Sequence, residues 1–272
     1  SLDLNKIAAM AEVGPFVRAR QSFCQGAKVI PQVTLLCPTE SHYRRVSDQG
    51  SALFPWSVSW QRGVLQCLLE CGYPVSIVTE QKFVDDPSRY PVIVVCEWEW
   101  LSPETVEALS GYAGNGGKLF VIGKRTAELL PVNTTVYAEC MTDAYRGGDP
   151  AANTKIRRRF RTILDEIYSR PVVVLENGTD EVVPVDLSLM RTADGKLAVH
   201  LTNVSGDHAG KGIIREIAPV KDVKLVLRCG EGISRLVLEP GGRPLEFVRD
   251  EMKNTVRVTI PEVSIHEILV VE

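Results

Sequence analysis

The chain has no stretch approaching the ~20 consecutive apolar residues of a membrane span. Its first residues also lack the basic and apolar regions of a signal peptide. The expectation is a cytoplasmic protein with no membrane partner. A basic excess is missing too: 31 Lys and Arg stand against 34 Asp and Glu, a net charge of −3. That balance argues against nucleic acid, which leaves a basic footprint on its binders. Histidine is scarce. The four are His42, His200, His208 and His266, and no two share a metal-ligand spacing such as H-x-x-x-H, so no metal or other cofactor is expected. Cysteine number is odd, at seven, and the residues are dispersed, with Cys37, Cys67 and Cys96 in apolar surroundings. Reduced, buried thiols in a reducing compartment fit this better than a disulfide frame. Cys67 and Cys71 lie one helical turn apart but cannot complete a zinc site alone. There is no internal repeat and no low-complexity tract.

What is present is an ordinary globular composition, 44% hydrophobic and 24% charged, over 272 residues. That length exceeds the ~100–200 residues of one domain, so two are expected. The most legible stretch is 89–123. It opens on the unbroken apolar run Val92-Ile93-Val94-Val95-Cys96, as a strand buried on both faces requires. Ser102-Pro103-Glu104 then starts a helix: Ser caps, Pro presets the first helical φ, and Glu meets the positive end of the dipole. Asn115-Gly116-Gly117 stops it, and a second apolar strand, 119–122, follows. Strand, helix, strand with tight connections is a βαβ unit with parallel strands.

Around that unit, 32–37 reads as the first strand of the layer, 38–42 and 48–55 as loops, 58–71 as a helix and 74–78 as the next strand. The progression is flavodoxin-like: a parallel sheet in the order 2-1-3-4 with helices on both faces. Ligands in such folds sit beyond the carboxyl ends of the first and third strands. That gathers Glu40, His42, Glu97, Trp98, Glu99 and Trp100 on one rim. Residues 153–168 form a helix whose basic face (Lys155, Arg157, Arg158, Arg159, Arg161) has no aromatic stacking platform beside it, so a solvated or domain-contacting face is expected. Residues 1–24 read as a helix interrupted near Gly14-Pro15. From 171 the pattern changes to short alternating segments separated by turn residues, at 182–190, 197–203, 223–228, 234–238, 245–248, 256–260 and 265–271. Regular short strands of this kind indicate an antiparallel sandwich. The expected domains are therefore 1–27, a helical linker from a preceding domain; 28–170, the α/β domain; and 171–272, the β-sandwich.

The chemistry on offer is limited. In Glu97-Trp98-Glu99-Trp100, strand alternation would place both carboxylates on one side, roughly 6–7 Å apart. Carboxylate pairs flanked by Trp serve glycosidases and sugar subsites; the same residues suit better a strand end whose Trp residues cover a neighbouring domain. At the end of the next strand, Gly123-Lys124-Arg125 occupies the turn where a nucleophile elbow would hold Cys or Ser, and no His lies between His42 and His200. Gly114-Asn115-Gly116-Gly117 ends a helix and so cannot be a phosphate loop.

Tyr90-Pro91-Val92-Ile93-Val94-Val95, Leu101-Ser102-Pro103-Glu104 and 112–117 leading into Leu119-Phe120-Val121 resemble the class I glutamine-amidotransferase-like domain. In catalytic members a Cys follows that last strand; Lys124 stands there instead, which implies no glutaminase activity. The same departure is usual in the version of this domain found in family-42 β-galactosidases. There it is called the trimerisation domain and follows the catalytic barrel. The C-terminal half is similar to the β-sandwich that ends such glycoside hydrolases and related α-fucosidase-like proteins. Asp194-Gly195-Lys196-Leu197-Ala198-Val199-His200-Leu201-Thr202-Asn203, Ile217-Ala218-Pro219-Val220-Lys221-Asp222-Val223, Val258-Thr259-Ile260-Pro261 and His266-Glu267 carry that likeness.

The resemblance implies a non-catalytic accessory region of a carbohydrate-active protein. It would serve assembly and wall a neighbouring active site. Its partners would be its own catalytic barrel or a neighbouring subunit, and carbohydrate. Glu40, His42, Glu97, Trp98, Glu99, Trp100 and Lys124 are the expected binding or interface residues, and no residue of this chain is expected to be catalytic. A stand-alone glycosidase using Glu97 and Glu99, and a carbohydrate-binding module, stay open as alternatives.

Overall fold

Residues 4–48, 59–130, 134–139, 145, 149–176, 182–206, 217–228 and 232–272 are described by the structure, a computed structural model. Most of the loop expected at 48–55, parts of 125–150, Cys140, His208 and Cys229 lie outside those residues. The chain divides into two compact units, 31–183 and 1–30 joined by 184–272. The sequence reading places boundaries after 27 and 170 instead.

The unit made of 1–30 and 184–272, called unit 1 from here on, begins with helix α1 (Leu4–Cys24) and strand β1 (Lys28–Val29). The chain then leaves for the α/β unit, which runs β2 (Val33–Cys37), α2 (Thr39–Asp48), α3 (Ser59–Glu70), β3 (Val75–Thr79), α4 (Glu80–Asp85), β4 (Val92–Cys96), α5 (Pro103–Gly114), β5 (Lys118–Ile122), α6 (Lys124–Glu128), β6 (Thr135–Tyr137), α7 (Pro150–Ile167) and β7 (Val173–Leu175). It returns to unit 1 as β8 (Val185–Arg191), β9 (Leu197–Asn203), β10 (Val220–Leu227), β11 (Leu236–Glu239), β12 (Arg243–Leu245), β13 (Phe247–Asp250), β14 (Thr255–Val263) and β15 (His266–Val271). No helix among the described residues is long and apolar enough to cross a membrane.

In the α/β unit, five strands form a parallel sheet in the order β3-β2-β4-β5-β6. The β2-to-β3 crossover steps one way along the sheet and the β4-to-β5 crossover the other. Right-handed connections therefore put α3 and α5 on opposite faces, with a switch point between β2 and β4. Every residue of β4 is fully buried, which its unbroken apolar run requires. The start of α5 is capped as its sequence predicts, Ser102 Oγ accepting from Thr105 N at 3.2 Å. α7 starts at Pro150, earlier than expected, because Asp149 caps it through Ala152 N at 3.1 Å.

Two arginines of the basic α7 face are structural. Arg157 donates to Glu70 at 3.2 Å, and Arg161 donates to Cys71 O at 2.6 Å while its guanidinium lies 5.0 Å from the Tyr73 ring. Cys67 and Cys71 lie under this contact. Burial pushes the Cys67 thiol well up, and Cys71 Sγ donates to Arg157 O.

Unit 1 is the antiparallel sandwich. One sheet has six strands, β1-β8-β9-β15-β11-β12, and the other includes β13-β14-β10. The strand expected at 245–248 is in fact the edge strands β12 and β13. Leu187, Val199, Leu201, Leu225, Leu227, Val258 and Ile260 are among its buried core. β9 is buried on both faces from Ala198 to Leu201 because α1 covers its outer side.

α1 is one helix with Pro15 inside it, where an interruption was expected. A proline removes one donor and crowds one carbonyl, a local penalty of ~3 kcal/mol. The helix after it is tied down: Phe23 packs on Ala198, Ile268 and Val270, and Arg20 donates to His266 O at 2.7 Å. By contrast Met10, Val13 and Val17 are exposed.

Candidate functional site

The rim at the carboxyl ends of β2, β4 and β5 is built on a helix the sequence does not announce. Residues 39–42, expected in a loop, form the first turn of α2, so Glu40 and His42 are helical. Four orphan amides open any helix. Here one of them, Glu40 N, donates to Glu80 Oε1 at 2.7 Å, while Glu80 Oε2 accepts from Thr105 Oγ1 at 3.3 Å. One carboxylate thus serves the starts of α2 and α5. It also occupies the spot where an anionic ligand of a doubly wound sheet would meet the α2 N-terminus. Glu80→Ala is expected to lower stability by about 0.5–2 kcal/mol in urea unfolding, by taking the carboxylate from Glu40 N and leaving Thr105 Oγ1 with Ser102 Oγ alone. A loss below a few tenths would show that water replaces the carboxylate at no cost.

α2 reaches the β4–α5 corner through its arginines. Arg45 Nη2 donates to Glu97 O at 3.1 Å, and its guanidinium lies 5.2 Å from the Trp98 ring centre. Arg44 lies 4.6 Å over the Trp100 ring. Cation–π contacts of this kind contribute about 0.5–1 kcal/mol when exposed and more when desolvated. Burial pulls the Arg45 guanidinium below its ordinary value, against the opposing pull of Glu99 and Glu97. His42 sits edge-on to Tyr43, with ring centroids 5.8 Å apart.

The carboxylate pair expected from strand alternation does not form that way. β4 ends at Cys96, and Glu97 takes a φ of 49°, so the extended geometry that would align Glu97 with Glu99 is broken at its first residue. Glu97 N donates to Ile122 O at 2.9 Å. Thr126 Oγ1 then accepts from Trp98 N at 2.8 Å and donates to Trp98 O at 3.1 Å. That clamp turns the Trp98 ring inward, to 1% exposure, where the sequence reading has it on an interface. Trp100 is half-buried and Glu99 exposed. Glu99 pairs with Arg125 at 3.0 Å, with side chains 61% and 77% exposed, a pair contributing roughly 0–1 kcal/mol.

Lys124 is the exposed first residue of α6, after Gly123 at φ 91°. A glycine thus makes the turn after β5, and the residue that follows it is a lysine.

The structure thus brings Glu97, Trp98, Glu99 and Trp100 into one cluster with Arg44, Arg45 and Arg125. Glu40 belongs to the Glu80 strap instead. Arg44, Arg45, Glu80 and Thr126 are not among the residues expected from sequence, and Arg125 is expected only in the turn after β5. Arg44 and Arg45 were discoverable, since 39–48 has a polar and a less polar side at helical spacing. Glu80 and Thr126 carry no local signal. Among the described residues no three His, Cys, Asp or Glu stand where they could hold a metal ion. Two clefts lie at the opposite, amino end of the sheet, beside Gly116-Gly117: one of about 590 Å³ under Tyr90 and Tyr112, another of about 650 Å³ beside Lys118 and Glu166.

No protein-family model matches this chain, and no curated protein does. Solved structures do. α-L-Fucosidase isoenzyme 2 from Paenibacillus thiaminolyticus superimposes with a TM-score of 0.68 at 17% identity, over 95% of this chain and 51% of that one. Gan42B, a GH42 β-galactosidase from G. stearothermophilus, in its E323A catalytic-mutant form, gives 0.54 at 15%, over 97% and 43%. A β-galactosidase from Bacillus circulans sp. alkalophilus gives 0.54 at 12%, over 96% and 44%. At these identities the likeness is one of fold. The chain spans about half or less of the length of each, and its α/β unit plus β-sandwich is the fold they share with it.

Proposed function

We propose that this chain is a non-catalytic accessory region of a larger, carbohydrate-active, glycoside-hydrolase-like protein, where it serves assembly and walls a neighbouring active site. The observation that carries the reading is the pattern of overlap: almost all of this chain, 95–97%, aligns with 43–51% of each of these three glycoside hydrolases. In this reading the α/β unit is amidotransferase-like and of the trimerisation type. Residues 1–27 lead in from a preceding catalytic barrel, and the partners are that barrel or a neighbouring subunit, in the cytoplasm. The rim supports it. Arg45 donates to Glu97 O and Arg125 pairs with Glu99, and the turn after β5 holds Gly123-Lys124 where acyl chemistry needs a nucleophile. Tyr43, Trp100, Lys124 and Arg125 offer an amphipathic edge of the kind interfaces favour.

Two measurements test this. The 272-residue chain, assayed with a panel of aryl glycosides and with glutamine, is expected to give no turnover above blank. Light scattering is expected to find it weakly associated or monomeric, and to find an oligomer when the coding sequence upstream is included. Turnover that disappears in Glu97→Gln would overturn the reading in favour of a stand-alone glycosidase. A longer chain that carries a barrel yet stays monomeric at high concentration would remove the assembly role.

A further inference from the structure

On the outer face of the six-stranded sheet, register sets three rows side by side: Asp186, Thr202 and His266; Ser188, His200 and Ile268; Met190, Ala198 and Val270. Ala198, Ile268 and Val270 form the apolar patch under Phe23 of α1. Beside that patch the two histidines meet. His200 Nδ1 and His266 Nε2 are 3.1 Å apart, and the stacked rings have centroids 5.2 Å apart. His200 is 4% exposed, and its Nε2 is buried without a hydrogen-bond partner. α1 seals the site with Arg20, which donates to His266 O at 2.7 and 3.2 Å and to Phe16 O at 3.1 Å.

Two neutral imidazoles share this contact comfortably, one nitrogen donating and the other accepting. A proton on each facing nitrogen sets N–H against N–H. Even a single added proton places net charge in a buried site beside the permanent cation of Arg20. The charged groups around the pair are Arg20 from α1, Asp186 from β8 in the same row as His266, and Glu267, the next residue on β15. β9 contributes only the neutral Thr202.

We propose that the His200–His266 contact is an acid-operated latch for α1: proton uptake between the two rings parts α1 from the sheet while the strands beneath stay paired. The strands survive because the sandwich core lies on the other face, through Leu187, Val199 and Leu201. Burial first, then the neighbouring ring, holds His200 down to about 4; burial and then Arg20 hold His266 below its ordinary value. The closed form therefore binds fewer protons than the open one. Closure is fully favoured above the ordinary value of 6.5 and is lost as pH falls from there toward about 4. Glu267 stands apart from the latch. By register it shares the opposite face of the sheet with Leu201, so the burial that raises its carboxyl is not released when α1 parts.

Hydrogen exchange on the full chain tests this, with rates corrected for the intrinsic effect of pH and α1 peptides compared with those of β9 and β15. The opening constant of α1 is expected to rise at least about tenfold between about pH 7 and about pH 4.5, while β9 and β15 keep their protection. His266→Gln is expected to flatten that dependence. Protection of α1 that ignores pH overturns the proposal. So does loss of protection in α1 and the sheet together, or an unchanged pH dependence in His266→Gln. Should that variant not fold, the imidazole carbon shifts of the unaltered protein decide. Two rings titrating well below 6.5 uphold the latch, and two titrating near it overturn the idea.

Discussion

Trp98→Ala is expected to lower the stability of the α/β unit by about 3–5 kcal/mol, the range for emptying a buried Trp site. The ring is 1% exposed and stands first by volume among the fully buried side chains of the described residues. Its surroundings cannot collapse easily to fill the void. Thr126 holds the residue's backbone from both sides, and Arg45 is fixed over the ring by its bond to Glu97 O. Urea unfolding followed by far-ultraviolet circular dichroism measures the effect, and Trp100→Ala is the comparison. Trp100 is half-buried and touches Arg44, so its removal is expected to cost only about 0.5–1.5 kcal/mol. Equal losses in the two variants would show that Trp98 is not a packed core residue. The burial of Trp98 also changes what the variant can say about assembly: weaker association in Trp98→Ala would follow from a damaged rim as readily as from a lost contact.

Gly117→Ala is expected to cost about 2–4 kcal/mol, for steric reasons and not because of its backbone angle. A methyl group there would lie 2.4–2.5 Å from ring atoms of Tyr112. That ring cannot swing aside. Its hydroxyl is shared among Tyr90 O at 2.9 Å, Pro91 O at 3.1 Å and Lys118 O at 3.2 Å, and accepts from Lys118 N at 3.0 Å. Burial pushes the phenol up to about 12, so it stays a donor throughout the physiological range. Gly111→Ala is the control, since nothing lies within 4 Å of its would-be methyl. In the last turn of α5 it is expected to stabilise by up to about 1 kcal/mol. Combining Gly117→Ala with Tyr112→Leu should cost much less than the sum of the two. Simple additivity would mean that the clash is relieved elsewhere.

The α/β layer was legible because its signals are local. β4 and β5 are apolar runs that only burial on both faces explains, and Ser102-Pro103 and Asn115-Gly116 bracket α5 with their own backbone chemistry. The 2-1-3-4 order followed from connection rules, and β6 extends it by one strand. α2 was not legible because what holds it is tertiary: Glu80 at its first turn and two indoles under Arg44 and Arg45. The Glu97–Glu99 alignment failed for a different reason. Alternation holds only inside a strand, and the strand stops one residue too soon. Nor could the histidine contact be read, since it joins residues 66 apart through an antiparallel register.

Gln32 is 1% exposed, and its amide behaves like a piece of strand backbone: Oε1 accepts from Val172 N at 2.5 Å, and Nε2 donates to Val173 O at 3.2 Å. A single side chain therefore ties the first strand of the α/β unit to the segment that leaves it. On the sandwich side, Ile30 N donates to Leu189 O at 2.9 Å, so the chain departs and rejoins at neighbouring points. The α/β unit is an insertion in the sequence of the sandwich, between residues 30 and 184. Closing a long flexible loop would cost the sandwich entropy that grows with the logarithm of loop length. An insert whose residues 32 and 172–173 are pinned together removes the folded stretch between them from that loop.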